Sequence, residues 1–357
     1  MAKQKVGILY GGKSVEHTVS INSARNVFQY LDKDLYEPIL MGIDPMGKWH
    51  LCHGFNHKIA DQEPLNIATD LPDAYFFSGE QKIRPDIIFP VLHGTNGEDG
   101  SIQGLLQVLD IPLVGTGVLG SAISMNKYLS KQILTDKGIP TARFLTFRNH
   151  EKERIQYDQV VKTLGLPLIV KSANLGSSVG VTKVKDQASF REAVDTAFRY
   201  DHTMIIEEFI EGREIECAVM GNIEPEVSWP GEIVIKGDYE FYTFDAKYVD
   251  KNAVALHIPA DVEEQTREEI MKCSKNAYIA LHCEDFARVD LFLSKDNKVY
   301  VNEINTIPGF TNSSMFPMMW QQHGLSFTDL ITKLIRMAFE RYEKVKNIDT
   351  MYQSKLD

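Results

Sequence analysis

The N-terminal third of the chain alternates short apolar strands with amphipathic helices across small polar turns, and this alternation restricts the possible folds more than any other feature. Lys5 to Tyr10 (KVGILY) reads as a buried strand, Gly11-Gly12-Lys13-Ser14 as a turn, and His17 to Leu31 as a helix with Val19, Val27 and Leu31 at helical spacing. Tyr36 to Ile43 returns as a strand. Asp86 to Leu92 (DIIFPVL) is a second apolar strand, followed by the polar loop His93-Gly94-Thr95-Asn96-Gly97-Glu98-Asp99-Gly100, a helix over Ser101 to Leu109 and a short strand at Pro112 to Val114. Strand, loop and helix in that order predict a parallel α/β domain with its functional loops at the carboxyl ends of the strands.

The pattern changes after about Met125. A helix over Lys127 to Asp136 leads to strands at Leu166–Lys171 and Gly180–Val184, a helix at Phe190–Tyr200, and strands at Met204–Phe209 and Glu214–Met220. From about Asn222 come further strands, the polar segment Lys236 to Asn252, a long helix (Val262 to His282), two more strands, and a final helix over Ser326 to Tyr342. A chain of 357 residues predicts roughly two to three domains. The divisions read here are 1–124, 125–221 and 222–357.

Composition narrows the class. Hydrophobic residues at 43% and charged residues at 24% are ordinary for a globular protein able to bury its own core. A formal net charge of −11 argues against a general nucleic-acid or membrane-surface binder, while leaving room for a local basic site. No apolar run approaches the roughly 18 residues of a membrane span, and the start, MAKQKVGILYGG, lacks a signal-peptide core. Cys52, Cys217, Cys273 and Cys283 form no C-x-x-C pair, so the expected compartment is the cytosol, with reduced thiols and no zinc knuckle.

The chemistry is most concentrated at Arg288-Val289-Asp290 and Glu303-Ile304-Asn305. Each places two polar groups two residues apart in strand-like sequence, hence on one face. If the strands are neighbours, one guanidinium, two carboxylates and an amide share a patch. The carboxylates and amide are hard oxygen ligands suited to Mg²⁺ carrying a nucleoside triphosphate, and Arg288 beside them suits an anionic substrate or a transferring phosphoryl group.

Other motifs are ambiguous one at a time. Gly176-Ser177-Ser178-Val179-Gly180 offers backbone amides and hydroxyls to phosphate, with Lys171 at the end of the preceding strand, but such loops are most often plain turns. Glu207-Glu208-Phe209 ends a strand where an adenine edge would be read and a ring covered, with Glu214 placed for ribose hydroxyls; a solvated acidic strand end reads equally from those residues. Glu16 sits near a helix N-terminus, where capping competes with binding a substrate ammonium. His93 ends a strand at a glycine-rich loop, as a site residue or a hydrogen-bonded structural one. Asp245-Ala246-Lys247-Tyr248 lies in a polar segment long enough for a lid or a connector. No H-E-x-x-H, Walker loop or G-x-S-x-G is present.

Taken jointly and in order, GGKSVEHTVS, FPVLHGTNGEDGSIQG, GSSVG, DAKY, ARVD and NEINTIPGFT resemble the signatures of the D-alanine–D-alanine ligases of the ATP-grasp superfamily, over nearly the whole chain. The resemblance implies a three-domain ATP-grasp architecture, α/β followed by α+β, and ligation of two D-alanines through a D-alanyl phosphate for peptidoglycan. It implies that Lys127, Lys171 and Ser177 contact ATP phosphates, that Glu207, Glu208, Phe209 and Glu214 line the adenosine pocket, and that Lys247 covers the phosphates from a lid. Asp290, Glu303 and Asn305 would hold two Mg²⁺ or Mn²⁺ ions, and the family suggests K⁺ and a homodimer. Glu16 would bind the ammonium of the first D-alanine with His93 nearby, Ser177 and Tyr248 would link Glu16 to the second site, and Ser314 would hold the second carboxylate. Arg288 and the Gly309 N–H would stabilise the tetrahedral oxyanion.

Thr18 and Phe316 depart from the common acidic residue and tyrosine of that family. Tyr248, with Met315 beside Ser314, favours an amine over D-lactate as second nucleophile and leaves D-serine open. A nucleotide-binding regulatory protein without turnover is the reading from another class; the complete set Lys171, Arg288, Asp290, Glu303 and Asn305 argues against it.

Overall fold

The computed structural model describes residues 2–69, 74–176, 180–236 and 254–348. The first unit begins with β1 (Gln4–Gly11), α1 (His17–Tyr30), β2 (Tyr36–Ile43), β3 (Trp49–Cys52) and β4 (Glu63–Pro64). A small three-stranded sheet follows, made by β5 (Asn66–Ala68), β6 (Tyr75–Ser78) and β7 (Gln81–Ile83), before β8 (Ile87–Pro90) and α2 (Ser101–Val108). The main sheet runs β4-β3-β2-β1-β8, with β1 parallel to both β2 and β8. β1 is buried from Val6 to Gly11 because parallel strands are covered on both faces, which is why it reads as a continuous apolar run. The predicted parallel domain therefore has an antiparallel edge, β3 and β4, that the sequence did not disclose. Gly11 and Gly12, at φ 92° and 94°, turn the chain off the end of β1 toward Glu16.

Helices α3 (Val118–Met125) and α4 (Lys127–Asp136) lead into β9 (Phe144–Arg148), α5 (Tyr157–Leu164), β10 (Leu168–Ser172), β11 (Thr182–Val184), α6 (Gln187–Tyr200) and β12 (Thr203–Glu208). The four strands form an antiparallel sheet ordered β11-β10-β12-β9, packed on α5 and α6 through a core that includes Val160, Phe190, Val170 and Ile206.

The third sheet contains β13 (Gly212–Met220), β14 (Glu226–Val227), β15 (Gly231–Ile235), β16 (Val254–His257), β17 (Phe286–Ser294) and β18 (Val299–Asn305), in the order β16-β15-β13-β17-β18 with β14 beside β13. Its apolar face, including Ile215, Cys217, Val289, Leu291 and Ile304, packs with α7 (Glu264–Ala280). Strand β13, placed with the middle segment by the 125–221 division, is hydrogen-bonded into this sheet. The α8 (Met315–Gln322) and α9 (Phe327–Lys346) helices share one core with β1, α1 and β8, so the end of the chain covers its beginning. Among the described residues no helix is long and apolar enough to cross a membrane.

A ring cluster and an arginine network are among the ties that hold the first unit to the third. Phe89, Phe286, Phe310 and Phe316 form a ring cluster with centroids 5.3–6.4 Å apart for each touching pair, each pair adding about 0.5–1.5 kcal/mol beyond burial. Phe316 is fully buried there, so the absence of a tyrosine hydroxyl leaves no polar group without a partner. On the far side Arg341 of α9 donates to Leu113 O at 2.9 Å, Gly115 O at 2.8 Å and Asp285 Oδ2 at 2.9 Å. Asp285 is fully buried and also accepts from the Gly115 N–H and the Asn222 amide, each at 2.8 Å. Replacing Arg341 with Met strips a buried carboxylate of its cation, so a loss of about 3–5 kcal/mol is expected. Urea denaturation measures it, and an unchanged midpoint would refute the tie.

Candidate active site

The cleft lies between the central and C-terminal sheets. A cavity of about 350 Å³ is walled by β10, β12, β13, β15, β17 and β18 and carries Lys127, Lys171, Glu207, Glu208, Phe209, Glu214, Asp290 and Glu303 on its lining. That volume falls in the roughly 300–1,000 Å³ range of small-molecule sites. The alternation expected at Arg288-Val289-Asp290 is present: along β17 the buried residues alternate with half-exposed Arg288 and Asp290. Across the ladder Arg288 faces Asn305 and Asp290 faces Glu303.

A bulge sharpens the arrangement. Pairing steps from Asp290–Glu303 to Leu291–Val301, which leaves Asn302 as an extra residue on β18. Asn302 thus lines the cavity together with Glu303, and its Oδ1 accepts from Lys171 Nζ at 3.3 Å. Sequence reasoning missed Asn302, since strict alternation turns it away from the site.

The basic side of the cleft is a buried charge cluster. Glu207 lies between two ammoniums, 3.0 Å from Lys171 Nζ and 3.3 Å from Lys131 Nζ. Lys131, which no motif singled out, is fully buried and donates to Thr141 Oγ1 at 2.8 Å. Burial, with Lys171 alongside, brings its ammonium down to about 8 although Glu207 opposes the shift. Burial alone would raise Glu207; the two lysines outweigh it and hold the carboxyl below its ordinary value. Of the two carboxylates expected at an adenine edge, Glu207 is paired with these lysines and Glu208 accepts from Arg143 Nε at 2.7 Å and Arg143 N at 2.8 Å, and both line the cavity. Phe209 presents its ring at the cavity wall, with Lys183 Nζ 4.0 Å from the centroid.

Lys127 opens α4, where Asn126 caps the helix by accepting from Leu129 N at 2.9 Å. Its Nζ donates to Leu175 O at 2.7 Å and stands 3.2 Å from Glu303 Oε2. Arg288 makes a two-point contact with Asp290, at 2.6 and 2.7 Å, and its Nε is 3.0 Å from Glu216 Oε2. Asn305 donates to Asp290 Oδ2 at 2.9 Å. The family resemblance implies an oxyanion role for Arg288 and a metal role for Asp290; in the structure the two side chains form one ion pair. Among the described residues no three His, Cys, Asp or Glu side chains are gathered as a metal cluster. The set Asp290, Glu303 and Asn305 nevertheless fits a hard divalent cation. Its donors are oxygens on one face, and two cations, Arg288 and Lys127, supply the countercharge such an ion would bring.

On the N-terminal side, Glu16 occupies the position preceding α1, yet its side chain makes no capping bond. The carboxylate points to the cleft instead: a Cβ on Gly94 would lie 2.9 Å from Glu16 Oε2, and one on Gly176 3.6 Å from it. His93 is buried with both ring nitrogens engaged, Nδ1 to Ile307 O at 2.9 Å and Nε2 to Ser23 Oγ at 3.0 Å. Burial holds its imidazole below the usual value, with Glu16 opposing, and its Nδ1 contact with Ile307 O ties β8 to the loop after β18. Ser23 Oγ also accepts from Phe310 N at 3.2 Å. In that loop Ser314 Oγ accepts from Thr311 N at 3.0 Å, and a Cβ on Gly309 would lie 2.9 Å from the same oxygen, so a larger residue there would displace the Ser314 hydroxyl. Glu98, also missed, accepts from Gly94 N at 2.7 Å. Burial, reinforced by Glu16, pushes its carboxyl up to about 8. Ser177, Lys247 and Tyr248 lie outside the described residues. Burial also raises the thiols of Cys217 and Cys283 to about 12 and of Cys273 to about 11, so none supplies a thiolate nucleophile.

Two outcomes are expected. Glu207→Gln leaves two buried ammoniums without their shared carboxylate and should cost about 3–5 kcal/mol in chemical denaturation; a loss within the ±0.5 kcal/mol typical of surface substitutions would contradict the cluster. The Glu98 carboxyl is raised from its ordinary value of 4.5 to about 8, so its stabilising contribution is complete below 4.5 and is lost as pH rises through 8. Glu98→Gln removes that dependence. Its stability relative to the parent should climb from pH 5 to pH 8 and then level off, and a pH-independent difference would exclude the raised carboxyl.

Comparison with known proteins agrees with this geometry. Residues 5–116 match the family description "D-ala D-ala ligase N-terminus" and residues 133–336 match "D-ala D-ala ligase C-terminus". A D-alanine–D-alanine ligase of Oceanobacillus iheyensis is 45% identical over 356 residues, covering 96% of this chain and 97% of the relative. The structure of the D-alanine–D-alanine ligase from Coxiella burnetii superposes with a TM-score of 0.87 at 36% identity, over 97% of each chain. The VanG D-Ala:D-Ser ligase of Enterococcus faecalis gives 0.86 at 32% identity, over 94% of this chain and 100% of that one. With both halves matched and the cleft built on the same ATP-grasp plan, the chain belongs to the D-alanine–D-alanine ligase family.

Proposed function

We propose that the chain joins two D-alanines into D-alanyl-D-alanine with ATP, releasing ADP and phosphate, as a step of peptidoglycan synthesis. One observation carries the reading. The Glu16 carboxylate of the first unit reaches Gly176, which opens the phosphate-loop motif of the second, so an ammonium binder adjoins a nucleotide-sized cleft. A small amino acid held by Glu16 would present its own carboxylate toward the phosphates.

The roles are those the family resemblance implies. Lys127 and Lys171 hold phosphate oxygens, joined by Ser177 and Lys247. Glu207, Glu208, Phe209 and Glu214 shape the adenosine end, Glu207 by fixing Lys171 rather than by touching the base. Asp290, Glu303 and Asn305 would hold two Mg²⁺ or Mn²⁺ ions, which when bound neutralise charge on the transferring phosphoryl group. The first carboxylate attacks the γ-phosphorus to form an acyl phosphate, and the free amine of the second D-alanine then displaces phosphate. Arg288 and the Gly309 N–H stabilise the intervening oxyanion, Ser314 holds the second carboxylate, and Tyr248 with Ser177 connects that subsite to Glu16. His93 acts by locking the loop that carries Gly309. K⁺ activation, a homodimer, a cytoplasmic location and three domains, with their second boundary moved before β13, complete the proposal. D-serine stays the nearest competitor for the second site, given the likeness to a D-Ala:D-Ser ligase.

Purified protein with ATP, Mg²⁺ and D-alanine should release ADP and yield a dipeptide mass, with D-lactate and D-serine incorporated less well. No D-alanine-dependent ADP would sink the ligase reading, and preferential depsipeptide at neutral pH would sink the specificity. Glu303→Gln should lower turnover by more than the roughly 10–100-fold that loss of an outer metal partner costs; near-parental kcat at low Mg²⁺ would contradict its role.

A further inference from the structure

Glu216, Asp290 and Glu303 stand in one row across three adjacent strands, each the cross-strand partner of the next. Arg288 bridges the first two. Its Nε carries a single N–H, which it donates to Asp290 Oδ1 at 2.6 Å, while the same Nε stands 3.0 Å from Glu216 Oε2. The Glu216 side chain is only 6% exposed against 15% for Asp290, so Glu216 is the deeper carboxylate and the one water reaches least. No motif named it, and nothing in the reaction described above uses it.

A divalent cation and the Arg288 guanidinium need the same Asp290 oxygens. Whichever holds them, the other must have somewhere to go, since a charge left unpaired in this part of the cleft is strongly unfavourable. Glu216 provides that place on the inner side. We propose that Glu216 is a positioning residue that receives Arg288 when a metal ion takes Asp290, so that metal loading and the alignment of Arg288 toward the reacting centre are one event. Without metal Arg288 donates to Asp290 and stands beside Glu216; with metal at Asp290 its pairing shifts wholly to Glu216.

The inference rests on the metal–nucleotide reading of the cleft, and one set of measurements separates the two. Mn²⁺ binding to the full-length protein in the presence of ADP is followed by electron paramagnetic resonance, without turnover. Parent protein that binds no Mn²⁺ would refute the metal reading itself and this inference with it. Given binding, Glu216→Gln should weaken Mn²⁺ about tenfold, because Arg288 then has only Asp290, and should raise the Mg²⁺ concentration for half-maximal turnover in parallel. Arg288→Gln should bind Mn²⁺ at least as tightly as the parent. In the double variant the Glu216→Gln effect should vanish, since there is no guanidinium left to compete. Unchanged Mn²⁺ binding in Glu216→Gln overturns the proposal and leaves the metal reading intact. An equal tenfold loss in the Arg288→Gln background also overturns it, by making Glu216 a ligand. If Glu216→Gln does not fold, Arg288→Gln alone decides: weaker Mn²⁺ binding than the parent refutes the competition.

Discussion

The antiparallel register of β13, β17 and β18 is the constraint on which the site depends. It sets Glu216, Asp290 and Glu303 in a line and puts Arg288 opposite Asn305. A one-residue slip would exchange these groups for Cys217, Val289 and Ile304, now packed under α7. The hydrophobic face therefore secures the polar one: the core below forbids the slip, and the cleft above receives its charges as a consequence. The bulge at Asp290/Leu291 is the single local departure, and it adds Asn302 to the cleft without disturbing the buried face.

Opposite charges are paired around the cleft. Glu207 is shared by Lys131 and Lys171, Glu303 faces Lys127, and Asp290 is held by Arg288. Such pairs contribute little net stability compared with an apolar core, but removal of one partner is costly. Here they fix each cation beside its carboxylate around the cleft. The N-terminal unit is brought to the same place by apolar means, the phenylalanine cluster and the shared core with α8 and α9, and oriented by His93 and Arg341.

Several elements were legible because their signal is local. The burial pattern of β1, the α4 helix beginning at Lys127 and the alternation in β17 follow from side-chain periodicity alone. Lys131 was not legible, since a lysine one turn after Lys127 on a helix normally reads as a solvated residue. Only the closing of Thr141 and Glu207 over it makes it a buried charge. Glu98 shares the HGTNGEDG motif with His93, yet its raised carboxyl comes from burial in the fold, reinforced by Glu16, distant in sequence. The capping alternative for Glu16 was reasonable from position, and its side chain makes no capping bond.

By itself the sequence determined the element types, the polar faces of β17 and β18, and through its ordered motifs the ligase family, because periodicity and motif order are properties of neighbouring residues. Tertiary structure decided which carboxylate meets which cation. It moved β13 into the third sheet, bulged Asn302 into the cleft, buried Lys131, and placed Arg288 between Asp290 and Glu216. Those outcomes depend on distances between residues remote in the chain, set by how three sheets pack, and electrostatic pairing is decided by distance and burial rather than by order along the backbone.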